Sequence, residues 1–303
     1  MKLKVAILPG QLVAPARKAG HGRRSGRPAT AAPATLVQDI QAAARSGLSA
    51  PLPSMAAMMP VAANGREAGG WEILRALVRA ATAGLPAVPD PGPGVCASCR
   101  GPARPGFARC FHCGLHEESA PGLLADVVAP VACAPKGSRL ATDLWLYKSE
   151  RTGSREAGAV LLAMLLVFLH DEAPRLWRSG AAVPTCACVV PSGRGRPGSH
   201  PLRALVGGCL ALPWAALVAR PGGDPWARAL DPGRFRAPRP LTGAAVLLLD
   251  DTWTSGGTAQ SAAVALKRAG ARWVGVVVLG RHLPAPAVRS RPAADPVVNR
   301  LVR

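Results

Sequence analysis

Fifteen residues, Ala244 to Thr258 (AAVLLLDDTWTSGGT), constrain this chain more than any other stretch. The first six are apolar without alternation and are preceded by Thr242-Gly243, which predicts a strand buried on both faces, as in the middle of a parallel sheet. The strand ends in two carboxylates, Asp250 and Asp251, and Thr252-Trp253 lead into Thr254-Ser255-Gly256-Gly257-Thr258 at the start of an apolar-periodic helix. Carboxylates at the C-terminal edge of a parallel strand lie where open α/β sheets bind ligands.

The loop reads as a phosphate cradle. Gly256 and Gly257 let the backbone approach a ligand closely. Hydroxyls and the free amides of the helix start point at that ligand, and the helix dipole favours an anion. Two carboxylates repel phosphate, so their partners are hydroxyl donors or hydrated Mg²⁺. A ligand with a phosphate at one end and a diol beside it, a sugar phosphate, satisfies both. No G-x-x-x-x-G-K-[ST] loop occurs in the chain, which argues against a P-loop nucleotide hydrolase.

In LLLDDTWTSGGT the sequence resembles the type I phosphoribosyltransferases, whose signature is an apolar run, two acidic residues, two variable positions and then Thr/Ser-Thr/Ser-Gly-x-Thr. The resemblance implies that Asp250 and Asp251 bind the ribose 2′- and 3′-hydroxyls of phosphoribosyl pyrophosphate (PRPP). It likewise implies that Thr254, Ser255, Gly256, Gly257 and Thr258 hold the 5′-phosphate.

A net charge of +20, mostly arginine and spread along 303 residues, suits anionic partners such as phosphorylated metabolites or nucleic acid. An Arg- and Ala-rich composition also arises from base composition alone. The longest apolar run, Ala157 to Leu169, is too short to span a bilayer and ends in His170-Asp171-Glu172, so it predicts a buried core helix. Met1 to Leu8 faintly imitates a secretory signal, but Pro9-Gly10 interrupts it, and a cytoplasmic chain with no membrane span is the expectation.

Residues 1–69 are rich in Ala, Pro, Gly, Arg and Ser and read as a disordered basic leader or an upstream extension of the reading frame, with Met55, Met58 and Met59 as internal starts. From Trp71, residues Ile73, Leu74, Leu77, Val78 and Ala81 recur at helical spacing up to Gly84. Cys96-Ala-Ser-Cys99 and Cys110-Phe-His-Cys113 then predict two knuckles closing a structural Cys₄ zinc ribbon, with redox dithiols as the alternative. Cys133, Cys186, Cys188 and Cys209 lack such spacing and read as small buried hydrophobes.

Ala141 to Lys148 (ATDLWLYK) reads as a strand or strand-like entry, with Lys148 at its end in reach of a phosphate or of solvent. Ala181 to Val190 is a second buried strand, followed by a Gly/Arg loop from Pro191 to His200. Gly193, Gly195 and Gly198 satisfy G-x-G-x-x-G, but Pro197 removes an amide and no acidic residue ends a strand about twenty residues on, which argues against a dinucleotide site. Arginines in a glycine-rich loop suit pyrophosphate; a solvated basic turn is the other reading. The next helix is expected to start at Ser199 or His200 and run towards Ala219 with a kink at Pro213. Residues 220–240 read as a mobile flap or a plain surface loop. After the central motif come a helix stopped by Gly270 and a strand from Trp273 to Leu279, and residues 284–303 read as a frayed tail.

A helix, a cysteine unit over residues 70–119 and an α/β domain over 120–283 with the PRPP motif near its end together resemble the ComF-like competence family. The likeness is strongest at the cysteines, at Leu247 to Thr258 and at Leu279-Gly-Arg281. It departs at Gly195-Arg-Pro-Gly-Ser-His-Pro, where that family carries Arg-Gly-Phe-Asn-Gln. The resemblance implies a type I phosphoribosyltransferase-like parallel sheet with helices on both faces, structural Zn²⁺, and Mg²⁺ accompanying PRPP. It implies transfer of phosphoribose with loss of pyrophosphate, with Asp250 and Asp251 as catalytic residues and Ser192, Gly193, Arg194 and Lys148 at the pyrophosphate. The acceptor is unspecified. The alternative implied by the same family is a non-enzymatic protein that handles single-stranded DNA, with PRPP as ligand or regulator.

Overall fold

The computed structural model describes residues 66–173, 175–176, 182–192, 200–207, 209–210, 212–221 and 228–283, and the short antiparallel pair β1 (Ala6–Leu8) and β2 (Gln11–Val13). Gly193 and Arg194 lie outside these residues, as does the tail from 284.

Four parallel strands form the centre: β3 (Val127–Pro135), β4 (Cys186–Val189), β7 (Ala245–Trp253) and β8 (Trp273–Leu283), in the order β3-β8-β7-β4. The unbroken apolar runs of β7 and β8 follow from their central places, since both faces of each are covered. Alternate residues divide between two cores. Leu247, Leu249, Val277 and Leu279 point to one, and Val246, Leu248, Val274 and Val276 to the other. The chain is therefore an α/β protein with a parallel sheet.

The first core is covered by α1 (Arg66–Thr82), α3 (Arg139–Leu146), α4 (Ser154–Asp171) and α5 (Pro201–Val206). Every residue of α4 from Ala157 to Leu169 is buried, as expected of a helix that is apolar all round. The other core takes α6 (Gly257–Arg268), which crosses from β7 to β8, and the unit carrying Cys96 to Cys113 with its helix α2 (Phe111–Ser119). A short hairpin, β5 (Val218–Ala219) and β6 (Phe235–Arg236), completes this side through Phe235.

Three expectations are corrected. Residues 141–148 are not a strand: Ser138 caps α3 by accepting the amide of Ala141, and Leu140, Asp143 and Leu144 fall on its buried side at helical spacing. The helix opened by His200 and Pro201 stops at Val206, and the chain then bends through Pro213 into β5 instead of continuing to Ala219. The second cysteine pair is not a second knuckle, because Cys110 is the N-cap of α2 and Cys113 lies in its first turn. Strand β3 went unforeseen, its pattern broken by Pro130 and Pro135. Among the described residues no helix is long and apolar enough to cross a membrane.

Candidate functional site

A cavity of about 470 Å³ opens at the C-terminal edge of the sheet, and Asp250, Asp251 and Thr258 line it together with Lys148 and Ser192. Residues separated by more than a hundred positions meet there because β4 and β7 pair in register and α3 ends beside them. Thr252, His200, Arg234 and His282 line the same space. Sequence reading missed this second group as site residues. The signal for His282 was available, since it lies near the end of the strand next to the acidic pair, whereas Arg234 reaches the cavity through a hairpin whose fold the sequence did not disclose.

Asp251 is the held member of the pair. Tyr147 donates its hydroxyl to Oδ2 at 2.6 Å, and Lys148 Nζ lies 2.7 Å from the same oxygen. Burial pushes its carboxyl up, but the Lys148 ammonium and these hydrogen bonds outweigh burial and hold it below the ordinary carboxylate range. Asp250 is the opposite case. Burial first, then the adjacent charge of Asp251, push it up to about 8, although its Oδ1 accepts the amide of Asp251 at 2.9 Å. Near neutral pH Asp251 thus favours its ionised form and Asp250 its protonated one. A cation or hydroxyl-rich ligand that joins the pair draws the second proton off.

The loop after β7 divides into residues that face the cavity and residues that shape it. Thr258 faces the cavity, and Thr254 is exposed. Ser255 turns inward and donates to the carbonyl of Arg228 at 2.6 Å, so its hydroxyl is committed to the protein. Gly256 has φ +86°, and a Cβ there would fall 2.1 Å from Trp253 Cζ2. At Gly257 a Cβ would fall 2.2 Å from the carbonyl oxygen of Arg228. The glycines are thus required by close packing from below and above, and Gly256 leaves the N-terminus of α6 without a side-chain cap.

On the far side of Trp253 the sulfurs of Cys96, Cys99, Cys110 and Cys113 lie within 4.8 Å of one another. In the first pair the amide of Arg100 donates back to Cys96 at 3.0 Å and Arg100 takes φ 58°, which folds the two thiols together. In the second, the first turn of α2 sets the spacing. Tetrahedral thiolates at about 2.3 Å from a zinc ion stand about 3.8 Å apart, and Cys99 and Cys110 are separated by 3.7 Å. The cluster fits a metal ion with no fifth partner: His116 is buried nearby with its pKa pushed down to about 4, by burial and by His112, but its Nδ1 has no partner and it stands outside the ligand group.

No family model and no curated protein matches the sequence. Among solved structures, a purine phosphoribosyltransferase from Pyrococcus horikoshii Ot3 matches at 14% identity, covering 45% of this chain and 93% of that one, with a TM-score of 0.23. A likeness that slight carries no argument about this chain.

Proposed function

We propose that the cavity binds Mg²⁺ and PRPP and that the protein is a phosphoribosyltransferase-like member of the ComF-like family, transferring phosphoribose with release of pyrophosphate. The observation that carries this reading is that the acidic pair and Thr258 of LLLDDTWTSGGT share one cavity with Lys148 at the C-terminal edge of a parallel sheet. Asp250 and Asp251 orient the ribose hydroxyls and favour positive charge developing at C1. Thr254, Thr258 and the amides at the start of α6 take the 5′-phosphate. Ser255, Gly256 and Gly257, by contrast, fix the shape of that cradle. Lys148 and Ser192 lie where the leaving group departs, with Gly193 and Arg194 following Ser192 in sequence. Asp250 and Asp251, hard oxygen donors, would hold the Mg²⁺ that accompanies the ligand, and the ion would supply neutralisation of pyrophosphate charge. Zinc fits the four cysteines as a structural ion.

Calorimetry of Mg²⁺-dependent PRPP binding tests this reading. Charge-assisted hydrogen bonds contribute about 1.5 to 3 kcal/mol each, so Asp250→Asn with Asp251→Asn abolishes binding and either change alone weakens it at least about tenfold. Wild-type protein that is folded and zinc-loaded yet ignores PRPP would sink the proposal.

One observation favours the second reading, a single-stranded-DNA-handling protein. Phe107 and Phe111 beside the cysteines are 65% and 74% exposed, in a chain of net charge +20. Exposed rings among cations are platforms for stacked bases. Binding of this kind falls steeply with salt and ignores the acidic pair.

A further inference from the structure

Between the cysteine cluster and the ligand loop lies one side chain, Arg281. It leaves the C-terminal end of the central strand β8, in register with Cys133 on β3 and with Trp253 on β7, and is 7% exposed. Towards the cluster, Nε donates to the carbonyl of Cys99 at 3.3 Å and Nη2 reaches Cys99 Sγ at 3.6 Å. Towards the loop, Nη1 donates to the carbonyls of Trp253 at 3.2 Å and Thr254 at 3.1 Å, and to that of His282. A planar fork with five donors spans two such groups; an ammonium does not.

The charge of this guanidinium has no carboxylate partner among the described residues. A buried cation needs compensation, and neutral carbonyls supply only part of it. A divalent ion held by four thiolates is a dianion overall, and its nearest sulfur is the one Arg281 touches. The approach is built into the backbone as well. A Cβ at Gly101, two residues after Cys99, would fall 2.3 Å from Nη2, so glycine there leaves the space that the guanidinium fills. On the other side, Trp253 is fully buried with its indole directly beneath Gly256, so the position of its carbonyl fixes the turn that begins the cradle.

We propose that Arg281 is a positioning residue through which the metal-loaded cysteine cluster sets the shape of the loop from Trp253 to Thr258. The metal holds the cluster, the cluster compensates Arg281, and Arg281 holds the two carbonyls from which the cradle starts. Metal loss then loosens the ligand loop although none of the four cysteines lines the cavity. The inference rests on the zinc reading and not on the identity of the ligand as PRPP.

Hydrogen exchange of the full chain, read on peptides covering residues 253–262, tests it. In wild type, removing zinc with a chelator under reducing conditions raises exchange there several-fold while the amides of α4 stay protected. Arg281→Met, loaded with its full complement of zinc, shows the same raised exchange, and chelation adds nothing further. Arg281→Lys, which keeps the charge but not the fork, resembles Arg281→Met. Gly101→Ala, which alters neither a metal ligand nor the loop, also opens residues 253–262 in the zinc-loaded protein. A loop in zinc-loaded Arg281→Met that exchanges as slowly as in wild type overturns the proposal, as does chelation that still opens it fully in that variant. If chelation unfolds the whole chain, the zinc-loaded variants decide; if Arg281→Met does not fold, zinc-loaded Gly101→Ala decides in the same way. PRPP that fails to bind wild type would refute the preceding section and leave this exchange experiment intact.

Discussion

At the scale of single residues the acidic pair sets function against stability. Asp250 is protonated more readily in the folded chain than in the unfolded one, because burial and Asp251 raise its carboxyl to about 8. Between about pH 4 and pH 8 the native state therefore holds a proton that the unfolded state has released, and stability falls as pH rises through that window. Asp250→Asn removes the penalty. Its melting temperature exceeds that of wild type by a margin that widens from pH 4 to pH 8 and then levels, as thermal denaturation across pH will show, while under the proposed function its affinity for PRPP falls at least about tenfold. A margin independent of pH would mean that Asp250 ionises as an ordinary carboxylate. Gly256 is a second such residue. Gly256→Ala introduces a Cβ at positive φ against Trp253, which costs about 1 to 3 kcal/mol by denaturant titration. The contacting atoms include Cζ2 and Cη2 of the indole, which phenylalanine lacks, so Trp253→Phe in the same chain recovers part of the loss. Strict additivity of the two changes would show that the clash is relieved elsewhere.

At the scale of elements, legibility followed how much a segment's neighbours decide its form. Strand β7 and helix α6 were readable because an uninterrupted apolar run, an acidic end and a glycine turn agree locally, and both form where the sequence placed them. The cysteine cluster was readable from spacing alone, because ligand chemistry needs no tertiary context. Helix α3 was not: ATDLWLYK is short, its two apolar sides are compatible with either period, and only Ser138 at its start favours a helix. Strand β3 was hidden by two prolines, one of them at its last residue. This error matters at the site, because α3 ends at Leu146 and so delivers Tyr147 and Lys148 to Asp251 from one turn. Ser138→Ala removes the cap, and urea denaturation should register a loss of about 1 kcal/mol. No change there would mean that tertiary packing alone holds α3. Arg234 was illegible for a different reason: its arrival in the cavity depends on β5 pairing with β6, which are far too short to announce themselves.

At the scale of the molecule, the sheet is covered by two faces built on different terms. The face with the cysteine unit carries a four-cysteine cluster fit for a metal ion, whereas the face with α1 and α4 joins its hydrocarbon core to an ion pair between the two helices. Arg75 on α1 forks onto Asp171 at the end of α4, Nε to Oδ2 at 2.9 Å and Nη2 to Oδ1 at 2.8 Å, and His170 lies against the same carboxylate. Burial raises the Asp171 carboxyl, but the hydrogen bonds from Arg75 and His170 outweigh burial and hold it at about 2. Its folded-state value thus lies below the unfolded one, so the contribution is complete above about pH 4 and is lost as pH falls towards 2. With both partners largely shielded, Arg75→Met should cost about 2 kcal/mol at neutral pH, since it leaves a carboxylate without its main partner. The gap between wild type and variant in acid should then close between pH 4 and pH 2. A gap that persists at pH 2 would assign the effect to the packing of the arginine stem against α4, with the charge contributing nothing.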